Sequence, residues 1–255
     1  MKRCVLLGIC LFAASGLIAQ DEEAVLNYIA KGDAAEDDFD NEAALKFYTM
    51  ALTEDSTNCI AMWKVSRAHV NVGEVLEGDE QSDHYIQAEE YARKAVAACP
   101  EIADTHLALA IAAGRVALIS GSKKKVRLSK IVKESALKCL ELDPNNDIAH
   151  HVLGRWHREV TNLSGLAKTF AKILYGGLPP ASYEEAVQHF NKAIELKPEY
   201  INHHLELGIT YEDMKEWELA KVEYEKVAEL PIDDSDDPDH KEEAAQRLQN
   251  VLKKL

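Results

Sequence analysis

Small and large apolar residues recur along the chain at helical spacing, separated by polar positions. In the stretch EEAVQHFNKAIELKPEY (184–200) they fall at Ala186, Phe190 and Ala193, and Pro198 follows. Steps of four and three residues place the three side chains on one face of a helix. A proline ends a helix because it lacks an amide hydrogen and clashes with the preceding turn. The pattern predicts a helix whose alanines let a neighbouring backbone approach closely.

This pattern occurs five times, and upstream of each copy lies a second helical segment with a small residue such as Gly154 or Gly208. Helix–turn–helix repeats of about 34 residues are the signature of tetratricopeptide repeats. One repeat cannot bury its apolar face alone, so repeats stack. The sequence therefore predicts an all-α, tetratricopeptide-repeat helical solenoid of about five helix-hairpin repeats. The other four copies are Ala44, Tyr48, Ala51 and Ser56; Ala88, Ala92, Ala95 and Pro100; Val132, Ala136, Cys139 and Pro144; and Ala220, Tyr224, Val227 and Pro231.

The second, third and fourth repeats carry extra residues between their two helices. GEVLEGDEQSDHY (73–85) is polar and predicts a loop, whereas GSKKKVRLSK (121–130) predicts an extended helix start. VTNLSGLAKTFAKILYGGLPP (160–180) is apolar and predicts a helical insert. After the last repeat, the acidic segment IDDSDDPD (232–239) leads to a final helix, at about residues 239–254, which we expect to cap the solenoid.

The first residues differ from the rest of the chain. Lys2 and Arg3 precede the apolar run 4–14, and small residues precede Gln20. This order is typical of a secretory signal peptide. We therefore expect a signal peptide at 1–19, cleaved after Ala19, and an exported protein that is periplasmic or extracellular. The solenoid then covers 20–231, and an acidic linker with the capping helix covers 232–255.

Composition and charge narrow the function classes. Glycine and proline are few, at 12 and 7 of 255 residues, which favours helix. A formal charge of −15 argues against nucleic acid as a partner, because phosphates would be repelled. The sequence contains no G-x-S-x-G, H-E-x-x-H, Walker-type loop or glycine-rich dinucleotide turn. We therefore expect a non-enzymatic protein without cofactors.

Three cysteines follow the signal segment: Cys59, Cys99 and Cys139. Their number is odd, their spacing is wide, and they form no C-x-x-C motif, so the sequence does not indicate a disulfide framework. Cysteines of this kind are typically small buried residues. A single bridge between Cys59 and Cys99 in an oxidising compartment is the alternative.

The segment from His150 to Pro198 resembles the C-terminal domain of the regulator of microtubule dynamics family. The shared features are the LGRW motif at 153–156, the apolar helix after it, LYG at 174–176 with Pro179 and Pro180, and YEEA at 183–186. The resemblance covers nearly all of the chain after the signal segment and implies an all-helical tetratricopeptide fold. Animal members are associated with microtubules and spindle poles, and one carries phospholipid in its repeat domain. In this chain, the export-type start and the lack of a basic extension argue against tubulin.

First helices of such repeats line a concave groove, and four arginines lie at groove positions. Guanidinium groups suit carboxylates and phosphates, so the sequence predicts a groove that holds a peptide or protein partner. An anionic lipid is the second ligand, and pairing of these arginines with nearby carboxylates is the alternative without a ligand. The predicted groove residues are Trp63, Arg67, Leu107, Ile111, Arg115, His151, Arg155, Arg158, Leu205 and Ile209.

Histidines recur at the fourth position of three successive first helices, at His106, His150 and His204. This position normally faces the neighbouring repeat, so we expect packing histidines and no metal site. A pH-sensitive interface is the alternative, since histidine titrates near pH ~6.5. The basic run SKKKVR (122–127) predicts a solvated helix start or a contact with an anionic surface.

Overall fold

The computed structural model describes residues 9–255, with side chains from Glu22 onward. The predicted signal peptide therefore lies outside the residues whose side chains are described. Among the described residues, no helix is both long and apolar enough to cross a membrane. The described chain forms twelve α-helices and no strand: α1 (Ile9–Asp37), α2 (Asn41–Glu54), α3 (Cys59–Glu74), α4 (Gly78–Ala98), α5 (Ala103–Leu118), α6 (Ser122–Leu142), α7 (Asp147–Asn162), α8 (Gly165–Tyr175), α9 (Tyr183–Leu196), α10 (Ile201–Asp213), α11 (Trp217–Glu229) and α12 (Asp237–Val251).

The helices form two compact units, Met1–Cys99 and Pro100–Leu255, here called the N-terminal and C-terminal units. In the N-terminal unit α1 packs on α2 and α3 packs on α4. In the C-terminal unit the antiparallel pairs are α5 with α6, α7 with α9, and α10 with α11, and α12 covers α10 and α11. The five predicted hairpins and the capping helix are therefore confirmed.

The close approach within a hairpin depends on glycine facing an aromatic ring. A Cβ atom added at Gly154 would lie 2.8 Å from the Phe190 ring, and one added at Gly208 would lie 2.6 Å from the Tyr224 ring. Both distances are far inside van der Waals contact, so a larger residue does not fit without movement. In the second repeat Ser66 replaces the glycine, and its hydroxyl donates a 2.8 Å hydrogen bond to the Ala88 carbonyl.

Side-chain caps set the start of several helices. Asn58 accepts the amide hydrogen of Ala61 at the start of α3, and Asn146 accepts that of Ala149 at the start of α7. Such caps satisfy amides that have no partner within the helix, and removing one costs about 1 kcal/mol. These helices also carry the predicted groove residues of the second and fourth repeats, so the caps fix the start of two groove helices.

The inserts of the middle repeats are mostly helical. The prediction of a loop over 73–85 is wrong, because α3 continues to Glu74 and α4 begins at Gly78. Its polar residues form a solvated first turn of α4, where Asp79 and Glu80 complement the helix dipole. Gln81 Nε2 also donates to the Gly73 and Leu76 carbonyls at the end of α3. The extended start of α6 is as predicted, since this helix begins at Ser122.

The insert of the fourth repeat is a separate helix, α8. Ser164 caps its start by accepting the amide hydrogen of Ala167. Gly176, with φ of 75°, ends it in the left-handed conformation that glycine adopts without strain. The apolar, helical character predicted for this insert is therefore confirmed, and α8 packs on α6 as an element additional to the α7–α9 hairpin.

A disulfide bond joins Cys59, at the start of α3, to Cys99, after the end of α4, with the Cα atoms 6.1 Å apart. It closes the second hairpin at its open end. The structure therefore takes the alternative in which these two cysteines pair. Cys139 is free and fully buried, as expected of a small packing residue.

Candidate functional site

Three first helices, α5, α7 and α10, lie side by side in the C-terminal unit and carry most of the predicted groove residues. Ile111, Arg115, Arg155 and Ile209 are partly exposed and offer surface to a ligand. The other four side chains on these helices are buried, so the expectation that they line an open groove is corrected. These four side chains pack between helices. Their relative exposures are 6% for Leu107, 6% for His151, 5% for Arg158 and 2% for Leu205.

The two predicted groove residues of the N-terminal unit lie on α3. Arg67 has a side chain that is 44% exposed, and its guanidinium lies 3.3 Å from the Glu36 carboxylate. Trp63 is partly buried, and the Lys64 ammonium lies 4.7 Å from the centre of its ring. Both residues are accessible, and each already has a charged neighbour within its own unit.

A buried carboxylate organises the arginines of the C-terminal unit. Glu206 on α10 is 6% exposed, and its Oε1 lies 3.1 Å from Arg155 Nε. Its Oε2 accepts a hydrogen bond from Arg158. Both arginines lie on helix α7. Burial alone would raise the pKa of Glu206, but the two guanidinium groups outweigh burial and hold this pKa below its usual value. Arg155 and Arg158 therefore pair with a nearby carboxylate, which is the alternative without a ligand that the sequence left open.

The two arginines have different roles in this cluster. Arg158 is buried, donates to Glu159 at 3.0 Å as well, and holds α7 against α10. Arg155 has a side chain that is 35% exposed and contacts Glu206 through Nε. The Arg155 side chain is therefore partly accessible to a carboxylate or phosphate from solution. Among the predicted residues, Arg155 combines a fixed position with an accessible charge.

Sequence reasoning missed Glu206, although the sequence contains a signal for it. The residue stands directly between Leu205 and Leu207, two apolar residues of α10. A charged residue in that setting is rarely buried without a partner of opposite charge. Its partners lie 48 and 51 residues upstream on α7, so only the helix register of stacked repeats could have connected them.

Histidines form three close pairs. The Nδ1 atoms of His151 and His203 lie 3.0 Å apart, and both rings are buried between α7 and α10. His203 Nε2 lies 3.0 Å from the Asp147 carboxylate, which fixes that ring. Burial lowers the pKa of His151 well below its usual value, and the neighbouring His203 lowers it further. The remaining pairs are His150 with His189 at 3.0 Å and His69 with His84 at 3.1 Å.

The histidines at the predicted fourth positions pack as expected. His106 Nε2 lies 2.7 Å from the Pro100 carbonyl oxygen, within the same turn of chain that begins α5. His204 Nε2 lies 3.0 Å from the Pro198 carbonyl, and its Nδ1 lies 2.7 Å from Glu223. These rings tie each first helix to the proline that ends the preceding helix, so they have a structural role.

A second surface, which the sequence did not reveal as exposed, lies on α8. Leu166, Phe170, Ile173 and Leu174 are 68%, 53%, 72% and 59% exposed. Their spacing places them within about 100° of the helix circumference. Ala171, on an adjacent stripe of the same helix, is buried and faces the protein. Helix α8 therefore presents a continuous apolar stripe to solvent.

Basic residues lie on α8 itself and on the neighbouring helix α6. The first twelve residues of α6 contain Lys123, Lys124, Lys125, Arg127, Lys130 and Lys133 and no acidic residue, and α8 adds Lys168 and Lys172. Lys130 Nζ lies 3.4 Å from the Tyr175 carbonyl and Lys133 Nζ lies 3.3 Å from the Pro180 carbonyl, so the two segments are adjacent. We call residues 122–133 and 165–175 together the α6–α8 surface. Its positive charge contrasts with the chain's net charge of −15.

Comparison with known proteins gives a family match over nearly the whole described chain. The family model described as regulator of microtubule dynamics protein 1-3 matches residues 28–254. The chain belongs to this family. The resemblance found at the LGRW, LYG and YEEA motifs is therefore confirmed.

Relatives within the regulator of microtubule dynamics family are distant in sequence. The chain is 28% identical over 204 residues to regulator of microtubule dynamics protein 1 from Bos taurus, covering 79% of this chain and 64% of that protein. It is 33% identical over 138 residues to protein 3 from Rattus norvegicus, covering 54% of this chain and 29% of that protein. The chain thus spans less than two thirds of the length of these relatives.

Among solved structures, a thermophilic TPR protein from Thermus thermophilus superposes with a TM-score of 0.67. The match covers 89% of this chain and 100% of that chain at 16% sequence identity. At this identity the likeness concerns the fold, and it confirms the predicted tetratricopeptide-repeat class for this member of the family.

Proposed function

We propose that this chain is a non-enzymatic binding protein that holds a peptide or protein partner on helices α5, α7 and α10. Support comes from the tetratricopeptide fold, which presents first helices side by side, and from the partly exposed residues on them. The observation that carries the proposal is Arg155, a guanidinium fixed by a buried carboxylate and accessible to solution. A fixed, accessible guanidinium loses little entropy on meeting a carboxylate.

The helices on either side of α7 carry apolar residues that suit a short peptide. Ile111 on α5 and Ile209 on α10 are partly buried, so each offers apolar surface to a side chain of the ligand. A charged anchor between apolar contacts is typical of peptide sites, where polar groups fix orientation and apolar groups supply affinity. We therefore propose a peptide with an acidic side chain or a free C-terminal carboxylate, which Arg155 would bind.

A selection experiment tests the class of ligand. Random peptides with free C-termini and the same library with amidated C-termini are selected on the full chain. The proposal expects enriched sequences that carry Asp, Glu or the free carboxylate and that the Arg155→Gln variant does not retain. Enrichment of sequences that bind the variant equally well would place the site elsewhere.

A second candidate function is binding of an anionic phospholipid, and the α6–α8 surface favours it. An amphipathic helix with an apolar stripe beside lysines is typical of segments that lie at the surface of an anionic bilayer. The eight basic side chains of this surface supply the attraction, and Phe170 and Ile173 supply apolar area. This differs from a lipid held in an internal cavity, because the apolar side chains are on the outside.

Vesicle sedimentation separates this candidate from the first. The chain is expected to sediment with vesicles that contain phosphatidylglycerol and to remain in solution with pure phosphatidylcholine. The double variant Phe170→Ser, Ile173→Ser is expected to lose binding, while Val222→Ser, which changes an exposed residue of α11, keeps it. Binding that the double variant retains would refute a role for α8.

Export is part of the proposal. A disulfide such as Cys59–Cys99 is common in exported proteins and rare in reducing compartments. The relatives' names concern microtubules, but an exported chain would not meet tubulin, so tubulin is not proposed as a partner. N-terminal sequencing of the protein from its native host is expected to start at Gln20. A first residue of Met1 would contradict cleavage of the signal peptide.

A further inference from the structure

The turn that leads into the capping helix contains polar atoms without partners. In the part of the chain with described side chains, five buried side-chain nitrogen or oxygen atoms make no hydrogen bond. Three of the five belong to one turn: Asp236 Oδ1, Asp237 Oδ1 and His240 Nδ1. A buried carboxylate oxygen or imidazole nitrogen that makes no hydrogen bond destabilises the fold, because it has lost its contact with water and gained nothing in exchange. Three such atoms in one turn therefore indicate a missing common partner.

The geometry of the turn suits a metal ion. One ligand atom from each of Asp236, Asp237 and His240 can be chosen so that all lie within 4.8 Å of one another. His240 Nδ1 lies 3.9 Å from Asp237 Oδ1, which is too long for a hydrogen bond. Ligands held at about 2.0–2.2 Å from one ion stand roughly 3–4 Å apart, so this separation fits two ligands of the same ion.

The surrounding backbone fixes the central ligand. Asp237 has a side chain that is 2% exposed, and its Oδ2 accepts the amide hydrogens of Asp233 and Asp234 at 2.7 and 2.8 Å. This arrangement points Oδ1 toward His240 and leaves it without a role in the fold. Hydrogen bonds that orient a ligand in this way are a regular feature of metal sites.

Nearby cations do not neutralise the turn. Lys241 donates to the carbonyls of Ala228 and Leu230, and Lys197 lies 3.6 Å from Asp233. Burial raises the pKa of Asp236, and the carboxylates of Asp234 and Asp237 raise it further against the opposing effect of His240. The carboxylates of Asp236 and Asp237 therefore have the His240 ring as their neighbour, with Asp236 Oδ2 lying 3.5 Å from its Nε2.

We infer that Asp236, Asp237 and His240 bind a divalent transition-metal ion, with Zn²⁺ as the best fit. Two carboxylates and one imidazole form a ligand set that suits Zn²⁺ and related ions, whereas Ca²⁺ takes oxygen ligands. Water would complete the coordination. The ion joins the acidic linker to the first turn of α12 and so fastens the helix that covers α10 and α11. The inference does not rest on the proposed function.

Calorimetric titration and thermal unfolding of the metal-stripped full chain test this site. Zn²⁺ is expected to bind and to raise the unfolding temperature of the wild-type chain. The His240→Gln variant is expected to lose affinity by at least ~10-fold, as metal sites do when their coordination is disturbed. Asp234→Asn is the control, because it changes a carboxylate of the same turn and leaves the three ligands in place.

Co²⁺ gives a spectroscopic readout, because its visible absorption depends on the ligands. The wild-type chain and Asp234→Asn are expected to share one Co²⁺ spectrum, and His240→Gln is expected to lose it. Equal Zn²⁺ affinity in wild type and His240→Gln would overturn the inference. So would stabilisation by Ca²⁺ that is unchanged in His240→Gln, since the imidazole would then not be a ligand.

Discussion

Arg155 Nε and Glu206 Oε1 lie 3.1 Å apart and join helix α7 to helix α10 in the C-terminal unit. Arg158 binds the second oxygen of the same carboxylate. The buried carboxylate of Glu206 thus pairs with two arginines. Arg158 is buried, and Arg155 is partly exposed. The fold and the proposed binding surface therefore depend on the same ion-pair cluster.

Removal of Glu206 is expected to destabilise the protein. Glu206→Ala leaves the buried guanidinium of Arg158 without its main partner, and breaking a buried pair in this way costs about 3–5 kcal/mol. Glu159→Ala is the control, because Glu159 contacts the same arginine from a side chain that is 64% exposed, where ion pairs contribute about 0–1 kcal/mol. Urea unfolding measures both values. Similar losses in the two variants would show that the cluster is unimportant for stability.

Glycine at the helix crossing is expected to be irreplaceable. Gly154→Ala places a Cβ atom 2.8 Å from the Phe190 ring, and overpacking of this kind costs about 1–3 kcal/mol. Gly165→Ala is the matched control, since nothing lies within 4 Å of a Cβ atom there. Adding Phe190→Leu to Gly154→Ala makes room for the new methyl group. Chemical denaturation that ranks Gly154→Ala with Gly165→Ala would contradict the packing described for α7 and α9.

Acid is expected to weaken the fold before the carboxylates titrate. Burial lowers the pKa of His189 to about 4, assisted by His150, His157 and Lys133 against the opposing Glu185. Burial and His84 lower that of His69 to about 4. The unfolded chain binds these protons near pH ~6.5. The stability that results from keeping these two histidines neutral is therefore fully present above that pH and is lost as the pH falls toward 4.

The unfolding temperature measured against pH checks this prediction. It is expected to fall between pH ~6.5 and ~5, a range in which unfolded carboxylates are still mostly ionised. The His189→Gln variant is expected to show a shallower fall, because one proton-binding group has been removed. An unfolding temperature that stays flat across this range would mean that the buried histidines do not control the acid response.

Reduction of the disulfide is expected to destabilise the N-terminal unit. Cys59 and Cys99 are 40 residues apart in sequence, and opening a loop of that length costs about 4 kcal/mol in the chain-entropy model. The double variant Cys59→Ser, Cys99→Ser is expected to unfold at a lower temperature, and reductant should then have no further effect. An intact mass that does not change on reduction of the wild-type chain would show that the bridge is absent.

The repeat pattern predicted the fold well because it reports which face of each helix is buried. The spacing of small and large apolar residues identifies the second helix of each of the five repeats. In the fourth repeat these residues are Ala186, Phe190 and Ala193, and all three are fully buried. Polar composition misled the prediction at 73–85, because a solvated helix and a loop have similar residues. Charge placement at a helix start, with Asp79 and Glu80, was the better signal.

The candidate site was harder to predict, because its side chains depend on contacts between repeats. Helix register placed Arg155 at a position of α7 that is partly exposed, but it did not show that Arg158 is buried or that Glu206 binds both. Contacts between repeats also decide the exposure of Leu205 and His151. Helix register places both residues near a groove, but neighbouring helices bury them. The exposure of Phe170 was equally hidden, since an apolar helical stripe usually faces a core.

Binding of a selected peptide to Arg155 variants tests the central claim of a carboxylate-binding surface. Calorimetry compares the wild-type chain with Arg155→Gln and with Arg93→Gln, a control on α4 whose side chain is 45% exposed and paired with Glu89. We predict that Arg155→Gln weakens binding about 10-fold or more, as loss of a charge-assisted hydrogen bond does, while Arg93→Gln binds like wild type. Equal affinity in all three proteins would contradict the claim.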